Sequence, residues 1–557
     1  MKHWMCRVCR YTHASDDPPE ACPVCRSGSK HFEESEDGAT EPELRRPLNL
    51  LLPSESALWR CQVCGLEHRG ISPPAICPVC GVGPELWDQV IESTRARMDT
   101  DPSPVTSAAA CSVCTSPLGL SPGDACPVCG ARHAFLATTP GVIGAQPPTS
   151  SATPRTFLIV GSGIAAVRAA EAIRTHDARA QVTLLTREKC LPYHRMNLTR
   201  YLDGDVDAAS TLLHSPSWYE EHGIEVRLET DVVEIASRDH SVRTRTRDFS
   251  YDRLVLATGA RVAVPLVRQI WIHGVRPLRT LSDCARILEV AGFGRKVVVL
   301  GSGPLGVETA VALRRRSCEV VVVERADGLL QRQLDGAASL LLQRHLEGLG
   351  IRVLLSRHVE AIEGDEYVES VRLDNGLREP TDLVVVATGI VPNTGLATGA
   401  GLRVNHGVLV DDALQTSAPD IYAAGDVAEH RGRTHGSWNA AWEMGSVAGA
   451  NAAGGAETYF PTLQPRVLKI VGMDVCSLGK IVAEPGTGRE LVHAEERGAI
   501  YQKVVLDEGR VVGGVFLGDT HPVAAVRKAI QDGREVSSAW ENARSLPHFL
   551  ASLETPT

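Results

Sequence analysis

Two stretches of this chain follow one grammar of strand, glycine turn, helix and strand, and few folds accommodate that grammar twice. The first is FLIVGSGIAAVRAAEAI, which places Gly161, Gly163 and Ala166 in the spacing G-x-G-x-x-A before the apolar run QVTLLT. The second is KVVVLGSGPLGVETAVAL, with Gly301, Gly303 and Gly306, followed by EVVVVER. Such glycines permit a tight turn and close backbone approach to a pyrophosphate. The helix that starts there offers free N–H groups and the positive end of its dipole. One loop of this kind is weak evidence. Two, each set between strands and a helix, predict an α/β chain with two Rossmann-like dinucleotide-binding domains.

The end of the second strand distinguishes the copies. In the second it is Glu324, whose carboxylate accepts hydrogen bonds from ribose hydroxyls and repels a 2′-phosphate, favouring NADH over NADPH. Arg325 beside it works against that preference. In the first copy the equivalent residue is Thr186, and Glu188 just beyond is the candidate for the ribose. Two further strands end in Ala-Thr-Gly, at 257–259 with Thr258 and Gly259 and at 387–389 with Gly389, and a third runs into Gly425-Asp426.

Cysteine usage divides the chain. Twelve of the 16 cysteines precede residue 130 and form six C-x-x-C pairs in three repeats. The first repeat is Cys6, Cys9, Cys22 and Cys25; the second Cys61, Cys64, Cys77 and Cys80; the third Cys111, Cys114, Cys126 and Cys129. Units of about 30 residues are too small to fold on apolar burial alone, so a metal is the expected staple. Four thiolates on two tight knuckles suit zinc or a single iron. Cys190, Cys284, Cys318 and Cys476 stand singly and are expected to be structural. The stretches between the repeats, and the Pro-, Gly-, Ser- and Thr-rich residues 136–155, read as spacers.

Composition excludes several classes. Lys plus Arg is 57 against 67 for Asp plus Glu, a net charge of −10, which argues against nucleic acid or anionic membrane as the main partner. No apolar run is long enough to span a bilayer, and MKHWMCRVCR carries no secretory signal, so the expected compartment is the cytoplasm.

The ordered motifs of residues 155–455 resemble the flavoprotein pyridine-nucleotide oxidoreductases, in which an NAD domain interrupts an FAD domain. The resemblance is closer to NADH:rubredoxin reductases and the flavin portion of assimilatory nitrite reductases, through LPYHRMNLTRYL and HGSWNAAWEMGSVAGANAAG. It implies that the first loop holds FAD and the second NAD. It further implies that Asp426 binds the FAD ribityl chain, that Arg195 lies near the flavin phosphates, that Trp438 packs near the flavin ring and that Glu308 lies near the nicotinamide. The cysteine repeats resemble the rubredoxin-like domain of rubrerythrins, with Trp4 and Trp59 leading the first two. The expected domains are rubredoxin-like modules at 1–34, 57–90 and 108–137, an FAD domain at 155–270 and 395–455, an NAD domain at 271–394, and an α+β C-terminal interface domain at 456–557.

Two functions from different classes follow. In one, electrons pass from NADH through FAD to rubredoxin-like iron, and on to a redox protein of the rubredoxin, rubrerythrin or diiron type. In the other, the N-terminal modules are zinc ribbons that dock a partner onto a flavin reductase. Either is compatible with a homodimer. Residues 155–557 contain no C-x-x-C or C-x₄-C for thiol–disulfide chemistry beside the flavin.

Overall fold

The computed structural model describes residues 154–463, 465–470, 472–495 and 500–554, together with nine short strands between residues 2 and 138. The side chains of all twelve paired cysteines, and with them the expected metal ligands, lie outside the described residues. The chain divides into two compact units, residues 1–58 with 69–72, and residues 59–68 with 73–557. In the first unit Lys2–Cys6 pairs antiparallel with Thr12–Ser15 and with Phe32–Glu34. In the second, Ala109–Cys111 pairs in the same way with Pro117–Leu118 and Leu136–Thr138. The first cysteine of each repeat ends a strand, Ala57–Cys61 being the third example.

Within the larger unit the first dinucleotide fold comprises β1 (Thr156–Val160), α1 (Ile164–His176), β2 (Gln181–Leu185), α2 (Leu198–Asp203), β3 (Ile224–Arg227) and β4 (Arg253–Leu256). A second fold follows, with β5 (Val275–Pro277), β6 (Lys296–Leu300), α3 (Pro304–Arg315), β7 (Glu319–Val323), α4 (Gly336–Gly348), β8 (Ile351–Leu354) and β9 (Leu383–Val386). The chain then returns to the first with β10 (Ile421–Ala423) and α5 (Trp438–Ala452). The parallel sheets run β3-β2-β1-β4-β10 and β5-β9-β6-β7-β8. Because β10 closes the first sheet only after the whole second fold, that second fold is an inserted domain. Four of the five residues of both β1 and β6 are buried, as expected of parallel strands covered on both faces.

Small residues let α1 and α5 approach closely. A Cβ at Gly445 or Gly449 would come within 2.3 Å of the Ala165 or Ala169 carbonyl oxygen respectively. The two crossings between the folds run side by side, with Ala260–Val262 antiparallel to Ile390–Pro392.

The last unit is an antiparallel sheet of β11 (Arg466–Ile470), β12 (Met473–Gly479), β13 (Gly488–Glu495), β14 (Ile500–Asp507) and β15 (Arg510–Leu517), followed by α6 (Val523–Gln531). Its order is β11-β12-β15-β14-β13. Leu468, Met473 and Val515 share a core with Leu329 and Leu342 of the inserted domain, while Phe516 and Val504 pack on Val526 and Phe549. Lys503, 2% exposed, ties the sheet to the inserted domain through Asp335 at 2.5 Å, and Tyr501 donates to the same carboxylate at 2.7 Å. Among the described residues no helix is long and apolar enough to cross a membrane.

Candidate active site

A cleft of about 550 Å³ opens at the carboxyl ends of β1, β4 and β10, where ligands bind in open α/β sheets. Gly161, Gly163, Glu188, Arg195, Thr258, Gly259, Gly425, Asp426 and Trp438 all line it. Ala166 lies fully buried beneath the loop. Gly161 has φ +136°, and a Cβ there would come within 2.1 Å of the Ala257 carbonyl oxygen, so β1 can turn only with glycine. A Cβ at Gly163 would meet nothing within 4 Å, so that face is open for a pyrophosphate at the start of α1.

Polar side chains ring the opening. Arg195 donates to Glu188 Oε1 at 2.7 Å, to the Arg279 carbonyl at 2.8 Å and to the Tyr193 hydroxyl at 3.0 Å. Tyr193 in turn donates to Glu188 Oε2 at 2.7 Å. The Glu188 carboxylate, which the sequence offers to a ribose, is thus engaged by Arg195 and Tyr193 on the cleft wall. Arg279 pairs with Asp426 at 2.5 Å and donates to the Ala260 carbonyl at 3.2 Å. The site therefore sets two guanidinium groups, from distant parts of the chain, in one cleft with the first glycine loop. Sequence reasoning missed Arg279. Its only local signal is that it precedes the capping box Thr280–Asp283, which starts the helix Leu281–Leu288.

Each Ala-Thr-Gly turn holds the opposite crossing. Thr258 donates to the Asn393 carbonyl at 3.1 Å, and the Asn393 amide donates back to the Thr258 carbonyl at 2.8 Å. Thr388 donates to the Ala263 carbonyl, and the Ala263 N–H donates to the Gly389 carbonyl at 2.9 Å. Gly259 and Gly389 have φ +63° and +110°.

Trp438 begins α5 behind the N-cap Ser437, whose hydroxyl accepts from the Ala440 N–H. Its ring stacks on His194 with centroids 5.2 Å apart. Burial holds the His194 ring below the usual histidine range, aided by nearby His214. The ring is therefore neutral beside the cleft at pH 7.

Gly301, Gly303, Gly306, Glu308, Glu324 and Gly389 are not part of this cleft's lining. Gly301 has φ +99°, and a Cβ at Gly306 would come within 2.1 Å of the Gly301 carbonyl oxygen, which seats α3 tightly against the turn. Gly303, like Gly163, faces open space. On the first turns of α3, Glu308 reaches across to α2 and accepts from the Thr199 hydroxyl at 3.2 Å. Burial pushes its carboxyl up to about 7, while the Thr199 bond pulls the other way. The lone cysteines match their structural reading. Cys284, Cys318 and Cys476 are buried, and burial raises all three thiols as well as that of half-buried Cys190.

The donor set of the cleft fits a dinucleotide with a polyhydroxylated chain: an open glycine face, two arginines and a carboxylate. Fold and site define a flavoprotein oxidoreductase with one dinucleotide domain inserted in another. The profile of the pyridine nucleotide-disulphide oxidoreductases matches residues 155–445, more than half of the chain, and the chain belongs to that family. The C-terminal domain of rubredoxin NAD+ reductases matches residues 466–534. The rubredoxin-like domain of rubrerythrin, which implies an iron or zinc site, matches residues 4–33 and 59–87, the first two cysteine repeats.

The assimilatory nitrate reductase electron transfer subunit of Bacillus subtilis is 32% identical over 386 residues, covering 69% of this chain and 50% of that protein. The rubredoxin-NAD(+) reductase of Pseudomonas putida is 33% identical over 275 residues, covering 49% of this chain and 71% of that protein. The structure of NADH:rubredoxin oxidoreductase from Clostridium acetobutylicum superposes with a TM-score of 0.60 at 26% identity, over 72% of this chain and 100% of that one. The chain spans about half the length of the first curated relatives it matches.

Proposed function

We propose that this chain oxidises NADH and passes the electrons one at a time to sulfur-ligated iron, first in its own N-terminal modules and then in a separate redox protein. The carrying observation is the fusion of a two-dinucleotide flavoprotein to rubredoxin-like modules on one polypeptide. The P. putida relative, named for rubredoxin and NAD+, supports the pairing of these two redox partners. The balance is NADH plus two ferric centres giving NAD+, one proton and two ferrous centres.

Bound FAD supplies the step that accepts an electron pair and releases it singly. The protein supplies position and charge. Gly163 and α1 present N–H groups to the flavin pyrophosphate, Arg195 and Arg279 offset its charge, and Asp426 accepts from the ribityl hydroxyls. Trp438 walls the ring side of the cleft. Gly303 and α3 receive the coenzyme pyrophosphate and Glu324 its ribose. Ionised Glu308 favours the positive charge that grows on the nicotinamide as it is oxidised.

Anaerobic stopped-flow mixing of the metal-loaded full chain with NADH tests this. Flavin absorbance should fall first, followed by bleaching of thiolate-to-iron bands. Colourless modules containing zinc, or iron that never changes oxidation state while the flavin cycles, would overturn the proposal. Zinc would instead support docking modules.

A further inference from the structure

The two glycine loops carry the same serine, and it does different work in each. Ser162 and Ser302 both follow the first glycine of their loops and are 5% and 2% exposed. Their surroundings are equivalent. Gly161 N–H donates to the Leu185 carbonyl and Gly301 N–H to the Val323 carbonyl, both at 2.9 Å. Thr186 and Glu324, which follow those carbonyls, each donate their N–H to the neighbouring strand, at Arg227 and Leu354. The Ser162 and Thr186 hydroxyls share a hydrogen bond of 2.8 Å. In the second loop both the N–H and the hydroxyl of Ser302 donate to Glu324 Oε2 at 2.8 Å, and the Ala326 N–H donates to Oε1 at 2.9 Å.

A carboxylate offers about four acceptor positions. Three are filled here, all from donors of this chain. The plane of the Glu324 carboxylate is thereby set before any coenzyme arrives, and one position, on Oε1, stays open. Charge-assisted bonds of this kind are the strong ones, and a group already ordered loses little entropy on binding.

We infer that Ser302 is a positioning residue for coenzyme choice: it locks Glu324 so that its free acceptor site meets an unmodified ribose hydroxyl. This rests on the proposed use of NADH and on the ribose role of Glu324. Selectivity then belongs to the Ser302–Glu324 pair and not to the carboxylate alone. Charge repels a 2′-phosphate whatever the orientation of the carboxylate, but only a fixed orientation strengthens binding of the free hydroxyl. The first loop supplies the neutral counterpart of the same device within the same chain.

The test uses the FAD-loaded full chain and two fragments, ADP-ribose and its 2′-phosphate, titrated by calorimetry. Ser302→Ala should weaken ADP-ribose by about tenfold, the worth of one charge-assisted hydrogen bond, and leave the 2′-phosphate within about twofold. Glu324→Thr copies the Ser162–Thr186 pair, so a folded precedent exists for it. It should weaken ADP-ribose and strengthen the 2′-phosphate together. Unchanged flavin absorbance in both variants confirms that they fold. If Ser302→Ala leaves both affinities unchanged, or shifts both equally, while Glu324→Thr behaves as described, the positioning role is wrong and the coenzyme reading stands. If Glu324→Thr changes neither affinity, or the unaltered protein does not bind ADP-ribose, the coenzyme reading fails and the inference with it.

Discussion

Arg279 and Asp426 meet at 2.5 Å on the cleft wall, although 147 residues and all but the first strand of the inserted domain separate them in sequence. Their side chains are 23% and 15% exposed, so the pair is largely withdrawn from water. Removing either partner leaves the other short of a counter-charge. Asp426→Ala and Arg279→Leu should each weaken FAD binding roughly ten- to hundredfold. The measurement is the ratio of flavin to protein absorbance after gel filtration. Full retention in Asp426→Ala would contradict its place at the ribityl chain.

Gly161 and Gly163 should respond in opposite ways to the same added methyl group. Gly161→Ala places a Cβ against the Ala257 carbonyl at a positive φ and should fail to yield stable protein. Gly163→Ala meets no protein atom within 4 Å, so the protein should fold with an unchanged Tm when stripped of FAD. It should then bind added FAD poorly, because the methyl group occupies the approach of the pyrophosphate. Equal FAD affinity in Gly163→Ala and the unaltered chain would move the phosphates elsewhere.

With Glu308 in its proposed place near the nicotinamide, the NADH reaction should depend on pH. Its carboxyl is raised to about 7, so it is neutral at pH 6 and ionised at pH 8. Flavin reduction by NADH, followed in single turnovers, should accelerate as pH rises through about 7, and Glu308→Gln should flatten that rise. Stability moves the other way. The unfolded chain loses this proton near pH 4.5, so ionising the partly buried carboxyl above that point progressively costs stability until pH passes about 7. The Tm of Glu308→Gln relative to the unaltered protein should therefore increase between pH 5 and pH 8. A constant Tm difference would show that the carboxyl is not raised in the folded protein.

Lys503 tests the anchoring of the last domain. It is 2% exposed and pairs with Asp335 at 2.5 Å and Glu490 at 3.4 Å. Lys503→Met leaves Asp335 without its cation and should cost about 3 kcal/mol in denaturant unfolding. No described residue beyond Ala441 lines the flavin cleft, so the absorbance of bound FAD should not change. A spectral shift in this variant would mean that the C-terminal domain reaches the flavin after all.

The glycine loops and their strands were readable because their requirements are local. A positive φ at Gly161 and four buried residues in β1 follow from a few neighbouring letters. The wall of the cleft was not readable in the same way. Glu188 is legible as a candidate ribose ligand, but the fold that brings Arg195 and Tyr193 onto its two oxygens is not. Glu308 looks like a solvated residue near a helix start until α2, from the other domain, covers it with Thr199. Arg279 carries no mark of its role, because its partner Asp426 arrives only when β10 returns to the first sheet. Likewise, no periodicity shows that the C-terminal sheet packs on the inserted domain. That choice is made by complementary surfaces built around Leu329 and Leu468.

The paired crossings have a mechanical consequence. Ala260–Val262 and Ile390–Pro392 are hydrogen-bonded to each other, and each is pinned at its Ala-Thr-Gly end by the opposite segment. Two separate tethers would let the coenzyme domain roll and twist. A single laced ribbon resists both motions, so a coenzyme held at the start of α3 would keep one setting relative to the cleft at the ends of β1, β4 and β10.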